Sequence, residues 1–186
     1  MLRQWLKSHD LNLTTSAIRA LCEGFEVGER VGGKVKDLNL RPAGGRIRFT
    51  TDSSYVALLC ETHYKIGIMP HMTLAGAQGF DLYQNRENGE TVFLKPFMPP
   101  SSKLGEHDFA GIVELGDEKS RHLTLNFPPY GAVKNLWIGL KKGSSLSDGI
   151  PYRNKLPAVF YGSSITQGAC RTSCQTRSSR FTSSGT

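Results

Sequence analysis

The fold is decided by the stretch Arg121-His122-Leu123-Thr124-Leu125-Asn126-Phe127, in which polar and apolar side chains alternate. A period of two is typical of a β-strand with one face in a hydrophobic core and the other in water. An apolar run at residues 109–115 comes before it, and Gly116-Asp117-Glu118-Lys119 separates the two runs. Because Gly and Asp favour tight turns, the stretch predicts two strands joined as a β-hairpin.

Further strands are predicted on both sides of this stretch, at residues 46–50, 55–60, 80–84, 91–95 and 133–140. The loop between the third and fourth of these contains Asn88-Gly89, a strong hairpin-turn signal. Short strands with regular turn signals predict a mainly-β domain over residues 25–150, an antiparallel β-sandwich that is jelly-roll-like. Helix is predicted only at residues 16–23, in a separate N-terminal segment, residues 1–24, to which the sequence assigns no role.

A second kind of signal follows the sandwich, at Tyr161-Gly162-Ser163-Ser164-Ile165-Thr166. The apolar residues 156–161 are typical of a short buried strand of a parallel sheet, and Gly162 permits a sharp turn after it. A serine placed at the carboxyl end of such a strand is a candidate nucleophile for acyl transfer. The alternative is an ordinary loop, since Gly-Ser-Ser is common in loops.

The block Gly162-Ser163-Ser164-Ile165-Thr166 resembles the first sequence block of the SGNH/GDSL esterases and lipases. In one subgroup of that family the catalytic domain follows a β-sandwich named for a Gly-x-Asp-Leu-Tyr motif, and this chain has Gly79-Phe80-Asp81-Leu82-Tyr83. Taken alone, the second motif is better explained as an ordinary strand and a structural signature, with Phe80 and Leu82 on the core face and Asp81 and Tyr83 on the other. The two motifs occur in the family's order, and the resemblance covers roughly residues 25–170.

The resemblance implies a serine esterase or lipase that acts on ester bonds and needs no cofactor. Ser164 would be the nucleophile and its backbone N–H an oxyanion donor. Residues 151–170 would begin an α/β catalytic domain, with the first strand and the nucleophile turn. His71, Asp81 and Tyr83 are candidates for the interface between the sandwich and that domain. The substrate would be an ester, with an acylated carbohydrate as one candidate.

Other family blocks are missing from the 186 residues: neither Asp-x-x-His, which supplies the base, nor Gly-x-Asn-Asp occurs. Residues 171–186 contain three arginines, no acidic residue and a single large apolar side chain, Phe181. Such a segment cannot bury enough apolar surface to offset the entropy of ordering it. The expectation is a truncated chain, inactive alone, with a disordered or out-of-frame tail. The alternative function is a carbohydrate-binding or purely structural β-sandwich module.

Composition excludes several other classes of protein. The formal net charge is +7, but the basic residues outside the tail are scattered rather than clustered, so no nucleic-acid partner is predicted. The four cysteines fit neither a zinc site nor a disulfide framework, and no metal is predicted. No signal peptide or membrane span is predicted, which makes a cytoplasmic location the default expectation.

Overall fold

The structure, a computed structural model, describes residues 11–14, 30–152 and 162–163. Its strands are β1 Leu11–Thr14, β2 Arg46–Thr51, β3 Tyr55–Thr62, β4 Phe80–Asn85, β5 Thr91–Phe97, β6 Asp108–Glu114, β7 Arg121–Asn126, β8 Val133–Lys141 and β9 Leu146–Asp148. Two short helices, α1 Gly33–Asn39 and α2 Leu74–Gln78, and a 3₁₀ turn at Ser101–Lys103 accompany them.

The strands form two antiparallel sheets that face each other. The four-stranded sheet has the order β1-β8-β3-β6, and the five-stranded sheet has the order β5-β4-β7-β2-β9. Every strand pairing in the described residues is antiparallel. The prediction of a mainly-β, antiparallel fold is therefore confirmed.

The core lies between the sheets and takes alternate residues from the strands β2 to β8. Leu123 and Leu125 of β7 are completely buried beside Phe80 and Leu82 of β4, and they face Leu58 of β3 across the core. Each such apolar side chain contributes roughly 1.5–3 kcal/mol by leaving water. The alternation in the sequence thus identifies the inner face of these strands correctly.

The β4–β5 hairpin is confirmed, but the predicted hairpin between residues 109–115 and 121–127 is wrong. Both runs form strands, yet β6 belongs to the four-stranded sheet and β7 to the five-stranded sheet. The turn between them crosses from one sheet to the other. Alternation of apolar residues shows only that each strand has one apolar face. Two strands with such faces can pair within one sheet, or they can lie in opposite sheets that pack face to face. The Arg121 guanidinium holds this corner by donating to the carbonyls of Leu115, Asp117 and Lys119.

The prediction that helix occurs only near the N-terminus is also wrong, because α1 and α2 lie within the sandwich region. Both helices have fewer than eight residues, too few for an apolar period of 3.6 to show. The Thr73 hydroxyl caps α2 by accepting the Gly76 N–H. The predicted helix at residues 16–23, the predicted strand at 156–161 and the tail at 171–186 lie outside the described residues. None of the described helices is long and apolar enough to cross a membrane.

Candidate functional site on the five-stranded sheet

The five-stranded sheet carries Asp81 and Tyr83 of the Gly-x-Asp-Leu-Tyr motif on its outer face. Their neighbours Phe80 and Leu82 belong to the core, and successive side chains of a strand point to opposite faces. Outward residues of an antiparallel sheet are commonly solvated, whereas Asp81 and Tyr83 are each only 1% exposed. The alternation of apolar and polar residues therefore predicts the direction of these side chains but not their burial.

Two residues of β7 share this burial. Register places Asn126 opposite Asp81 and Thr124 opposite Tyr83, and both β7 residues are 6% exposed. We call Asp81, Tyr83, Thr124 and Asn126 the polar patch. A carboxylate or hydroxyl is costly to bury unless polar groups satisfy it, so the surroundings of the patch must be polar in part.

Cationic side chains border the patch on β2. Arg46 is the register partner of Asn126, and Arg48 is the register partner of Thr124, which places both arginines on the outer face. The Arg48 guanidinium lies over the ring of Tyr152, 4.3 Å from the ring centroid. Such a stack stabilises by roughly 0.5–1 kcal/mol when exposed.

The chain leaves the sandwich on this same side. After β9, which pairs with β2, Gly149 approaches Arg48 so closely that a Cβ on Gly149 would lie 2.8 Å from the Arg48 Cβ. Tyr152 then packs on the Arg48 side chain. Gly149 and Tyr152 therefore both lie against Arg48, on the outer face of the five-stranded sheet.

The remaining candidate residues are not gathered at the patch. Ser164 lies outside the described residues, and its neighbours Gly162 and Ser163 are exposed. His71 is also exposed, in the loop between β3 and α2, whereas Asp81 and Tyr83 lie within β4. The structure thus brings Asp81 and Tyr83 together on one face, and His71 belongs to a different structural element.

Two further side chains with potential chemical roles, those of Trp137 and Cys60, lie away from the patch. Trp137 lies between the core residues Leu136 and Ile138 and so faces outward from the four-stranded sheet. Burial, assisted by the charge of Glu61, raises the pKa of the Cys60 thiol. Within the described ranges, no group of three or more His, Cys, Asp or Glu side chains could hold a metal ion.

A family model described as the GxDLY N-terminus of SGNH hydrolase-type esterases matches residues 26–146. The chain belongs to this family. The match includes the whole polar patch and all the strands from β2 to β8. The family assignment made from the two sequence motifs is therefore confirmed.

A solved structure agrees with this fold. A crystal structure from Bacteroides ovatus, described as a GDSL-like lipase, has 23% sequence identity and a TM-score of 0.61. The alignment covers 85% of this chain and 46% of that one, so this chain spans less than half of its neighbour's length. A salicylyl-acyltransferase, SsfX3, from a tetracycline biosynthetic pathway has 20% identity and a TM-score of 0.44 over 68% of this chain and 33% of that chain. That likeness is too distant to carry an argument. No curated protein matches the sequence.

Proposed function

We propose that this chain is the accessory N-terminal sandwich and the start of the catalytic domain of a serine esterase, and that the polar patch is the surface on which the catalytic domain rests. The family membership supports an ester substrate. An acylated carbohydrate or another small acyl ester remains the proposed substrate class.

The observation that carries the interface proposal is the burial of Asp81 and Tyr83 on an outward-facing surface. Water satisfies outward polar residues well, so their cover within this chain indicates that polypeptide packs on this face of the sheet, where we expect the catalytic domain to continue. A catalytic domain that follows β9 would begin on this side of the sheet, since β9 pairs with β2 and Gly149 lies close to Arg48 there. Polar cover of this kind is typical of interfaces between domains of one chain.

The proposed chemistry begins with Ser164. Its hydroxyl oxygen attacks the ester carbonyl while a base removes the proton, the alcohol departs with a proton, and water then hydrolyses the acyl-enzyme. A serine without a base is a poor nucleophile. All five histidines precede Ser164 in the sequence, and none lies in an Asp-x-x-His block. We therefore expect the 186-residue chain to hydrolyse esters at the background rate.

The test is p-nitrophenyl acetate hydrolysis by the full-length esterase that we propose, expressed with a complete catalytic domain after the sandwich, compared with its Ser164→Ala variant. We expect the variant to lose at least about 10³-fold in kcat while its circular dichroism stays unchanged. The 186-residue chain serves as the low-activity reference. Equal turnover by the full-length esterase with and without Ser164→Ala would refute the role of Ser164.

The interface is tested in the same two proteins with Asp81→Asn, using Glu87→Gln in the exposed β4–β5 turn as the matched control. If the patch supports a catalytic domain, Asp81→Asn lowers both the melting temperature and kcat of the full-length esterase, and Glu87→Gln changes neither. Unchanged kcat with Asp81→Asn, together with equal loss of melting temperature in the full-length esterase and the 186-residue chain, would show that Asp81 serves only the sandwich.

A further inference from the structure

A row of polar side chains crosses the outer face of the five-stranded sheet beside the polar patch. The row takes one residue from each strand, and the strand register makes them neighbours in the order Thr91, Asn85, His122, Thr50, Ser147. All five alternate with residues that point toward the core side of the sheet. We call them the polar row. Unlike the patch, every member is half-buried or exposed, so the row is open to solvent.

Hydrogen bonds fix the centre of the row in one arrangement. The Thr50 hydroxyl donates to the Asp148 carbonyl at 2.7 Å, and a hydroxyl has only one proton to give. The contact of 2.7 Å between Thr50 Oγ1 and His122 Nδ1 must then have the histidine N–H as its donor. In the neutral imidazole this leaves Nε2 as an acceptor, held in place by Thr50.

Asn85 is held in the same manner. Its Nδ2 donates to Thr124 Oγ1 at 2.6 Å, and its Oδ1 accepts from Thr91 Oγ1 at 3.3 Å. One N–H and one lone pair of the amide stay available for a further partner. The row therefore presents oriented, uncharged donors and acceptors: the Asn85 amide, the His122 Nε2 and the hydroxyls of Thr91 and Ser147.

Two exposed aromatic rings flank the row. Phe93 follows Thr91 on β5, stands opposite Tyr83 with ring centroids 5.2 Å apart, and is 42% exposed. Tyr152 lies at the other side of the sheet, over Arg48, and is 52% exposed. Each ring offers an apolar face on which the apolar side of a ligand could stack.

We propose that the polar row, with Phe93 and Tyr152 beside its ends, is a binding platform for an extended polysaccharide. A pyranose ring has an apolar face for an aromatic ring and a rim of hydroxyls for neutral donors and acceptors. Four strand spacings give the row a length of about 19 Å, enough for an oligosaccharide rather than a single sugar. The proposal rests on the sandwich alone and holds whether or not Ser164 hydrolyses an ester.

The test uses the purified 186-residue chain in native gels that contain birchwood xylan, galactomannan, hydroxyethyl-cellulose or homogalacturonan. We expect one of these polymers to retard the protein. Titration calorimetry with an oligosaccharide of that polymer then gives the affinity. Replacing Phe93 or Tyr152 by Ala should each weaken binding by about tenfold, because each removes a stacking surface.

Two further variants separate binding from folding. His122→Asn keeps an N–H for Thr50 but has no acceptor at the position of Nε2, so it should also weaken binding. Tyr64→Ala removes an exposed tyrosine far from the row in sequence, in the loop after β3, and should leave binding unchanged. Melting temperatures within a few degrees of the parent verify folding. Absence of retardation by every polymer would overturn the proposal, as would retardation that survives both aromatic substitutions.

Discussion

The glycine that opens the Gly79-Phe80-Asp81-Leu82-Tyr83 motif occupies a place with no room for a side chain. Its φ of −82° is available to any residue, so the need for glycine is steric and does not come from the backbone conformation. A Cβ on residue 79 would lie 2.6 Å from the Ala75 carbonyl oxygen and 3.0 Å from the Ala75 Cα. The first of these contacts is about 1 Å shorter than the roughly 3.5 Å at which non-bonded heavy atoms pack.

Neither side of this contact can move freely. The Ala75 carbonyl accepts the Gly79 N–H at 3.0 Å and so closes α2. On the other side, Phe80 is fully buried, and its ring centroid lies 5.3 Å from that of Phe127. Gly79→Ala must therefore either break the end of α2 or displace the start of β4 from the core. We expect a loss of about 1–3 kcal/mol in the free energy of unfolding, the usual cost of overpacking.

The assay is urea denaturation followed by tryptophan fluorescence, with Gly67→Ala as the matched control. Gly67 has a negative or extended φ, and a Cβ there would meet no atom within 4 Å. The control should therefore stay within about 0.5 kcal/mol of the parent or gain slightly from the reduced entropy of the unfolded chain. An unfolding midpoint for Gly79→Ala equal to that of Gly67→Ala, at the same m-value, would refute the steric argument.

Two further predictions concern titratable side chains. Burial is the main cause that raises the pKa of the Cys60 thiol, and the negative charge of Glu61 adds to it. In a variant in which Cys22, Cys170 and Cys174 are replaced by serine, the folded chain should react with Ellman's reagent at least about 100-fold more slowly than the chain unfolded in urea. Burial is the main cause that lowers the pKa of His63 from 6.5 in the folded chain, and the positive charge of Lys134 adds to it. As the pH falls, His63 is therefore protonated in the unfolded chain at a higher pH than in the folded chain. The protein should lose stability below about pH 6.5, down toward the lowered folded value, and His63→Gln should lose less between about pH 7.5 and 5.5; parallel stability curves would contradict this.

Local signals in the sequence were enough for seven of the nine described strands and for one hairpin. The strands β1 and β9, with four and three residues, were not predicted, because so short a segment shows no clear alternation. The Asn88-Gly89 turn led to the correct pairing of β4 and β5, where Gly89 has a φ of +87° that few other residues adopt. The turn at residues 116–119 looks equally tight, yet it joins strands of different sheets. Two strands with alternating apolar residues can pair within one sheet or pack against each other from opposite sheets, and the sequence pattern is the same in both cases. The choice depends on distant partners, such as β3 for β6, which no local pattern records.

The candidate site shows the same limit. The motif Gly-Phe-Asp-Leu-Tyr gave the family and the outward direction of Asp81 and Tyr83, because both follow from local residues. Burial of the polar patch depends on what lies over the sheet, and the polar row depends on register between strands far apart in the sequence. Thr50 and His122, which share the central hydrogen bond of the row, are separated by 72 positions. No spacing rule along the chain could have joined them.

The patch and the row lie on one sheet face, and this proximity connects the two proposals. The row is two residues further along each strand than Tyr83 and Thr124, a distance of about 7 Å. The hydrogen bond from Asn85 Nδ2 to Thr124 Oγ1 links the two groups directly. A catalytic domain resting on the patch would therefore stand beside a polysaccharide lying across the row. The patch is buried and the row is open to solvent. This difference suits the two proposed roles, because a catalytic domain must stay bound to the patch while the polysaccharide binds to the row and leaves it. If both proposals hold, the substrate that we propose for the esterase is an acyl group carried on the bound polymer rather than a small free ester.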